Sequence, residues 1–384
     1  MKELEIIGRE VEKLRAAGKS AVLATVVGIQ GSSYRLPGAR MLIADAKWQA
    51  GSVSGGCLEG DVVLRAREVL QTNRALVTTY DTTSDEDILF GVGLGCRGII
   101  RVLIEPITPE PARPDLVRYI RDCIAARRTG VVATVIGVEG EPDAAPGARL
   151  VRGPGTDMPS DIRDAALRTA VATHVAGLSG SEASHSAFFD VPRGQAEVFI
   201  EIVRPPLPLV IFGAGHDAIP MARLGKDLGW RVTVVDHRPA YATRQRFPEA
   251  DEVLVATTEE ISQRVQIDGD TVALVMTHNY LRDLEALKIL LPSPARYIGL
   301  LGPRRRANEL LAELEKQSFA VTPEQRQRLY APVGLDLGAE GPEGVALSVL
   351  GEIQAVVAGR AAGHLRERTG SIHDLQPVAK RTSP

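Results

Sequence analysis

Two glycine-rich segments carry the side chains best suited to chemistry. Gly51-Ser52-Val53-Ser54-Gly55-Gly56-Cys57-Leu58-Glu59-Gly60-Asp61 sets a thiol at the expected first turn of a helix running from Cys57 to about Gln71. There the positive end of the helix dipole and unpaired backbone N–H groups favour thiolate. Gly93-Leu94-Gly95-Cys96-Arg97-Gly98 puts a second thiol in a loop whose glycines expose backbone donors, with a guanidinium next in sequence. Thiolate is a soft ligand, suited to molybdenum, to copper or to sulfur transfer. The competing reading of each is a small buried hydrophobe, and that is the expectation for Cys123, which lies within a helical pattern. Three cysteines without a C-x-x-C pair make neither a disulfide framework nor a structural zinc site, so reduced thiols are expected.

A third glycine turn is of another kind. Gly213-Ala214-Gly215-His216-Asp217-Ala218 follows an apolar strand and precedes a helix, the context in which glycines let a helix N-terminus approach a pyrophosphate. Asp236 ends the next strand, where a carboxylate can accept from ribose hydroxyls. Nucleotide or related phosphate binding is one reading, and a purely structural turn is the other. His278, just beyond the strand ending at Met276, is either a ligand contact or proton donor, or a cap on its loop. Arg304, in Gly302-Pro303-Arg304-Arg305-Arg306, either meets an anion at a helix N-terminus or belongs to a solvated helix start.

The elements that must position these residues fall into two parts. Apolar spacing predicts a helix over residues 3–17, then strands over 21–28, 39–43 and 99–104. Ala24-Thr25-Val26-Val27-Gly28 and Pro37-Gly38-Ala39-Arg40 recur 109 residues later as Ala133-Thr134-Val135-Ile136-Gly137 and Pro146-Gly147-Ala148-Arg149. Nine of the 19 positions from 24 to 42 are identical in that register, so the first part is read as a duplicated scaffold, with copies at about 1–110 and 113–204. Neither cysteine returns in the second copy, which places the chemistry in the first. Pro205-Pro206-Leu207-Pro208 reads as a stiff linker. Beyond it, strands over 209–212, 231–236, 253–256, 271–276 and 297–301 alternate with helical segments, the pattern of a doubly wound parallel sheet spanning 205–364. The expected fold class is α/β, a duplicated α+β domain followed by a Rossmann-like domain, with residues 365–384 as a flexible polar tail.

A net charge of -3 gives no basic field for phosphate backbones, so nucleic-acid binding is not expected. No run approaches the roughly 20 apolar residues that span a bilayer. Met1-Lys2-Glu3-Leu4-Glu5 lacks a basic region followed by an apolar run, and a cytoplasmic location is expected. A homodimer is the prior for its assembly.

Taken together the motifs resemble the xanthine dehydrogenase accessory family, XdhC/CoxI. The resemblance is carried by Gly31 to Arg40, the Cys57 and Cys96 loops, Gly213-Ala214-Gly215-His216, Asp236, Arg246-Phe247-Pro248, Thr277-His278, Gly299 to Gly302, Pro332-Val333-Gly334-Leu335-Asp336 and Ala346 to Glu352. This sequence departs from the family pattern at Arg97, Pro303 and Gly344. The resemblance implies an accessory protein, not a catalyst. It would bind molybdenum cofactor (molybdopterin), protect it during sulfuration by a cysteine desulfurase, and pass it to an apo molybdenum hydroxylase. Cys57 and Cys96 become the candidate molybdenum contacts, with Ser32, Arg40, Gly55, Gly56, Glu59 and Gly95 around them. Gly213, Gly215, His216, Asp236, His278 and Arg304 supply a second group of cofactor contacts. Two other classes compete. An NAD(P)-dependent oxidoreductase would use Gly213, Asp236 and His278 but leaves the thiols without a task. A scaffold that only docks the two enzymes would bind no cofactor.

Overall fold

The computed structural model describes residues 2–81, 98–107, 113–153 and 155–369. The chain divides into two compact units, Glu3–Pro205 and Pro206–Thr369.

In the first unit, strands β1 (Ala21–Gly31), β2 (Arg40–Ala44), β3 (Lys47–Gly51), β4 (Leu76–Asp81) and β5 (Gly98–Pro106) form an antiparallel sheet in the order β3-β2-β1-β5-β4. A second sheet, from β6 (Gly130–Gly140), β7 (Arg149–Val151), β8 (His185–Val191) and β9 (Gly194–Val203), has the order β7-β6-β9-β8. Strand β6 starts and stops 109 residues after β1. The bulge between Val26 and Gly28 against β5 returns between Val135 and Gly137 against β9. The structure therefore repeats register as well as topology.

The first seven residues of β1 are all buried because both of its faces are covered. Val22, Ala24 and Val26 pack under helix α2 (Glu59–Thr72), whereas Ala21 and Leu23 turn toward α1 (Lys2–Ala16) and α3 (Leu116–Ala125). In the second copy Val131, Ala133 and Val135 pack under α4 (Ala165–Ala176). Between the sheets, Val27 and Leu103 of one copy meet their counterparts Ile136 and Phe199 of the other.

Ion pairs cross the same seam in symmetric fashion. Arg40 donates to both carboxylate oxygens of Glu201 at 2.8 and 2.5 Å and to the Gly38 carbonyl at 2.9 Å. Its counterpart Arg149 pairs with Glu105 and donates to the Gly147 carbonyl. Arg101 and Glu197, which are each other's counterparts, close the middle at 2.6 Å. Arg40, 1% exposed, is thus spent on holding the copies together and is not presented to a ligand, contrary to its place among the expected cofactor contacts. Its type was legible, but its partner lies 161 residues away.

The second unit is a six-stranded parallel sheet, β12-β11-β10-β13-β14-β15, from β10 (Pro208–Phe212), β11 (Arg231–Asp236), β12 (Glu252–Val255), β13 (Val272–Val275), β14 (Tyr297–Leu300) and β15 (Leu329–Tyr330). Helices α5 (Ala218–Asp227) and α10 (Pro342–Ala358) cover one face. Helices α6 (Thr258–Arg264), α7 (Tyr280–Leu290) and α8 (Arg304–Lys316) cover the other, and a short α9 (Pro323–Gln327) precedes β15. Order reverses between β10 and β13, the point at which open parallel sheets take ligands.

Candidate functional site

The Cys57 loop is built between two pairs of buried residues. Val53 and Leu58 anchor it in the core under α2, and Ser54 and Glu59 bond to each other beneath it. The Ser54 hydroxyl donates to Glu59 Oε2 at 2.5 Å and accepts from the backbone N–H groups of Gly56 and Leu58, each at 3.1 Å. Glu59 Oε1 accepts from the N–H groups of Val53 (3.2 Å) and Ser54 (2.9 Å). Burial opposes charge on Glu59, but the Ser54 hydroxyl and these amides outweigh it and hold the carboxyl below the usual carboxylate range. Glu59 is therefore the floor of the loop and not a ligand contact, a correction to the sequence expectation.

Between the buried Ser54 and Leu58, the residues Gly55, Gly56 and Cys57 emerge to solvent. At Gly51 (φ +69°) a Cβ would meet the Arg40 carbonyl oxygen at 2.1 Å, so the close approach of loop and β2 requires glycine. Gly56 adopts φ +119° with open space where a side chain would be. Helix α2 begins at Glu59 with Leu58 as its N-cap residue, so Cys57 precedes the helix instead of opening it as expected. The Ser54 hydroxyl takes the N–H groups of Gly56 and Leu58 ahead of the helix. The ring of Tyr34, 72% exposed, lies against Gly55. Ser32 is exposed, its carbonyl packed where a side chain at Gly98 would stand. Gly95 and Cys96 lie outside the described residues. Among the described residues no side chain exchanges a hydrogen bond with the Cys57 sulfur, and no group of three or more His, Cys, Asp or Glu side chains is placed to hold a metal ion.

In the second unit the structure gathers the other candidates along the carboxyl edge of the sheet. Gly213 (φ +113°) passes so close to β13 that a Cβ would sit 2.4 Å from the Met276 carbonyl oxygen. His278, with φ +57°, reaches back across this point, its Nε2 2.7 Å from Asp217 Oδ2 at the start of α5. Gly215 and His216 complete the turn, His216 being exposed. Thr277 donates to Asp283 at 2.5 Å, and Asp283 accepts from Arg306 at 2.6 Å, which ties the first turn of α8 to this edge. Arg304 is exposed there, without a partner among the described residues.

Asp236 departs from expectation. It is buried, and its Oδ1 accepts from the Arg238 backbone N–H and Nε, each at 2.9 Å. Its Oδ2 accepts from Arg238 Nη2 and from the Ala214 N–H, each at 2.7 Å. Burial alone would push the carboxyl up, but the Arg238 guanidinium and the two amides hold it down at about 2. The side chain braces the glycine turn and is not offered to a ribose. Sequence reading missed Arg238 and Asp283; a cation two residues after the strand-ending acid was the available signal for Arg238.

Comparison with known proteins places this arrangement. A family model described as the XdhC Rossmann domain matches residues 209–353, and one described as the XdhC and CoxI family matches residues 14–81. A Bacillus subtilis (strain 168) protein named as a probable xanthine dehydrogenase subunit is 35% identical over 335 residues, a match covering 87% of this chain and 92% of that protein. The chain belongs to the XdhC and CoxI family. Another relative, the molybdenum cofactor insertion chaperone PaoD of Escherichia coli (strain K12), is 26% identical over 88% of this chain and 84% of its own. The crystal structure of a Bacillus halodurans protein described as a xanthine dehydrogenase superposes with a TM-score of 0.73 at 28% identity, covering 93% of this chain and 98% of that one. No helix among the described residues is long and apolar enough to cross a membrane.

Proposed function

We propose that this XdhC/CoxI member is an accessory protein. It binds molybdenum cofactor as cargo, shields it while a cysteine desulfurase supplies sulfur, and releases it to an apo hydroxylase of the xanthine dehydrogenase type. The observation that carries this reading is the exposed Cys57 thiol on a loop held from beneath by the buried Ser54 and Glu59 side chains. The donor set fits such a cargo: a soft sulfur beside two exposed glycines, with no side chain among the described residues hydrogen-bonded to it as an activating base would be. Cys57 would contact the metal or its sulfur ligands, Gly55 and Gly56 would let a planar ligand approach the backbone, and Cys96 is proposed as the second thiol. The names of the relatives support the accessory role. Holding and release require no bond chemistry from the protein.

The NAD(P) reading is disfavoured by Asp236, whose acceptor positions are all taken. The test is cofactor retention after anaerobic reconstitution and gel filtration. Cys57→Ala is expected to lose most of the bound pterin, and Cys57→Ala with Cys96→Ala all of it. Parental retention by the double variant would overturn the proposal.

A further inference from the structure

The two copies of the first unit bring the same pair of loops together by different means. The turn after β1, residues 32–36, has its counterpart 109 residues on, at 141–145. Both turns have the same profile: Ser33 and Pro142 are buried, and the residues that follow them, Tyr34 and Asp143, are exposed. In the second copy the Asp143 carbonyl accepts from the Asp164 N–H at 2.9 Å. In the first the equivalent residues are Tyr34 and Gly55, and the contact is a ring on a glycine. A Cβ added to Gly55 would stand 3.7 Å from both Cγ and Cδ1 of Tyr34.

The scaffold thus exposes this position in both copies. The copy without a thiol fills it with aspartate, the kind of side chain that water favours. The copy with Cys57 puts an aromatic ring there and leaves it 72% exposed. The backbone beneath the ring is pinned on both sides. Ser33 Oγ donates to the Arg35 carbonyl at 2.9 Å, and the Arg35 guanidinium donates to both carboxylate oxygens of Glu3, each at 2.5 Å. Behind them the Gly38 N–H closes the turn on the Val26 carbonyl at 2.8 Å. An aromatic presented to solvent from a fixed backbone is a platform on which a flat conjugated ring can stack, because little ordering remains to be done on binding. Any side chain at Gly55 would start in contact with that platform, and Cys57 follows two residues later.

We propose that Tyr34 is a binding residue of the cargo site: its ring stacks on the conjugated pterin ring of the cofactor and lays it beside the Cys57 loop. This rests on the cofactor-handling reading above and names the part of the cofactor that the first copy grips.

The experiment loads the full-length protein anaerobically with molybdenum cofactor, removes the free pool, and times release by the pterin fluorescence that oxidation develops in the fraction still bound. No partner enzyme is present, so a role of Tyr34 in docking another protein would leave release unchanged. Tyr34→Ala is expected to release its cargo at least about tenfold faster than the parent. Tyr34→Phe, which keeps the face of the ring and drops the hydroxyl, should match the parent. Tyr34→Trp should release no faster, and its added indole emission should be quenched while cargo is bound and return as it leaves. The residue is exposed, so all three variants should keep the parental urea midpoint. Parental release by Tyr34→Ala, or an unquenched indole in loaded Tyr34→Trp, would overturn the inference and leave the accessory role standing. A parent that holds no cofactor at all would remove both together.

Discussion

Leu58 and Leu167 occupy the same place in the two copies of one scaffold, yet the chain reaches them by different routes. In the second copy Ile162 is buried, Asp164 accepts from the Leu167 N–H at 2.9 Å, and α4 begins at Ala165. In the first copy Val53 is buried, the Ser54 hydroxyl accepts from the Leu58 N–H at 3.1 Å, and α2 begins only at Glu59. The spacing between the buried anchors is the same in both. Gly56 and Cys57 align with Ala165 and Ala166, which are helical. The thiol is thus exposed by unwinding the start of a helix, not by inserting a loop. Helix termini need their free N–H groups capped, and the first copy meets that need from Ser54, farther back than Asp164, with Glu59 beneath to fix it. The Ser54–Glu59 bonds have no counterpart in the second copy, where Arg163 and Arg168 align.

The equivalence of the copies is tested hardest at their seam. Arg40→Ala would leave Glu201 buried and unpaired, whereas after Arg149→Ala Glu105 would keep Arg113, which donates to it at 2.9 Å. Removing one partner of a buried pair costs about 3–5 kcal/mol. Both variants are expected to lower the urea midpoint of the first unit, Arg40→Ala by the larger amount because Arg113 remains on Glu105. Equal shifts would show that Arg113 does not stand in for Arg149 on Glu105.

The difference between the copies is tested at Glu59. Glu59→Gln replaces an ionised acceptor of three hydrogen bonds in a buried setting and should cost about 1–3 kcal/mol. Acid should act in the same way. A carboxyl whose folded value is depressed stabilises the fold above its unfolded value, about 4.3. That contribution is lost as pH falls through the lower folded value. Hydrogen exchange at residues 53–60 should therefore rise as pH drops below about 4, relative to residues 162–169 in the same sample. Parallel behaviour of the two segments would sink the assignment of Glu59 as the floor of the loop.

Much of this architecture was legible in the sequence, for local reasons. The strands of the parallel sheet are continuous apolar runs, as burial on both faces requires, and the duplicated β-sheet domain announced itself by identical residues at one offset. Strand β3 was not legible, because Lys47, Trp48 and Gln49 are exposed on an edge and carry no apolar pattern. An exposed turn at Gly55, Gly56 and Cys57 could be read because their types are unusual together. The roles of Glu59, Arg40 and Asp236 could not. Each is a charged residue whose function was decided by a partner: Ser54 within the loop, Glu201 in the other copy, and Arg238 around a turn. Charge in a motif suggested a ligand, and burial assigned it to the fold.

The smallest expected effect on stability is the one that bears most directly on what the copies teach. Gly55→Asp with Gly56→Ala writes the second copy's Asp164 and Ala165 into the first. The new aspartate can cap the Leu58 N–H as Asp164 caps Leu167, and alanine exceeds glycine as a helix former by about 1 kcal/mol. Helix α2 should lengthen through Cys57, with stability unchanged or raised by about 1 kcal/mol. Cofactor retention should nonetheless fall, because the thiol would then sit in the first helical turn and the two exposed glycines beside it would be gone. A double variant that is at least as stable as the parent and still retains cofactor fully would show that the unwound turn is incidental to the thiol. One that is stable and empty would show that the first copy gives up helix in order to present Cys57.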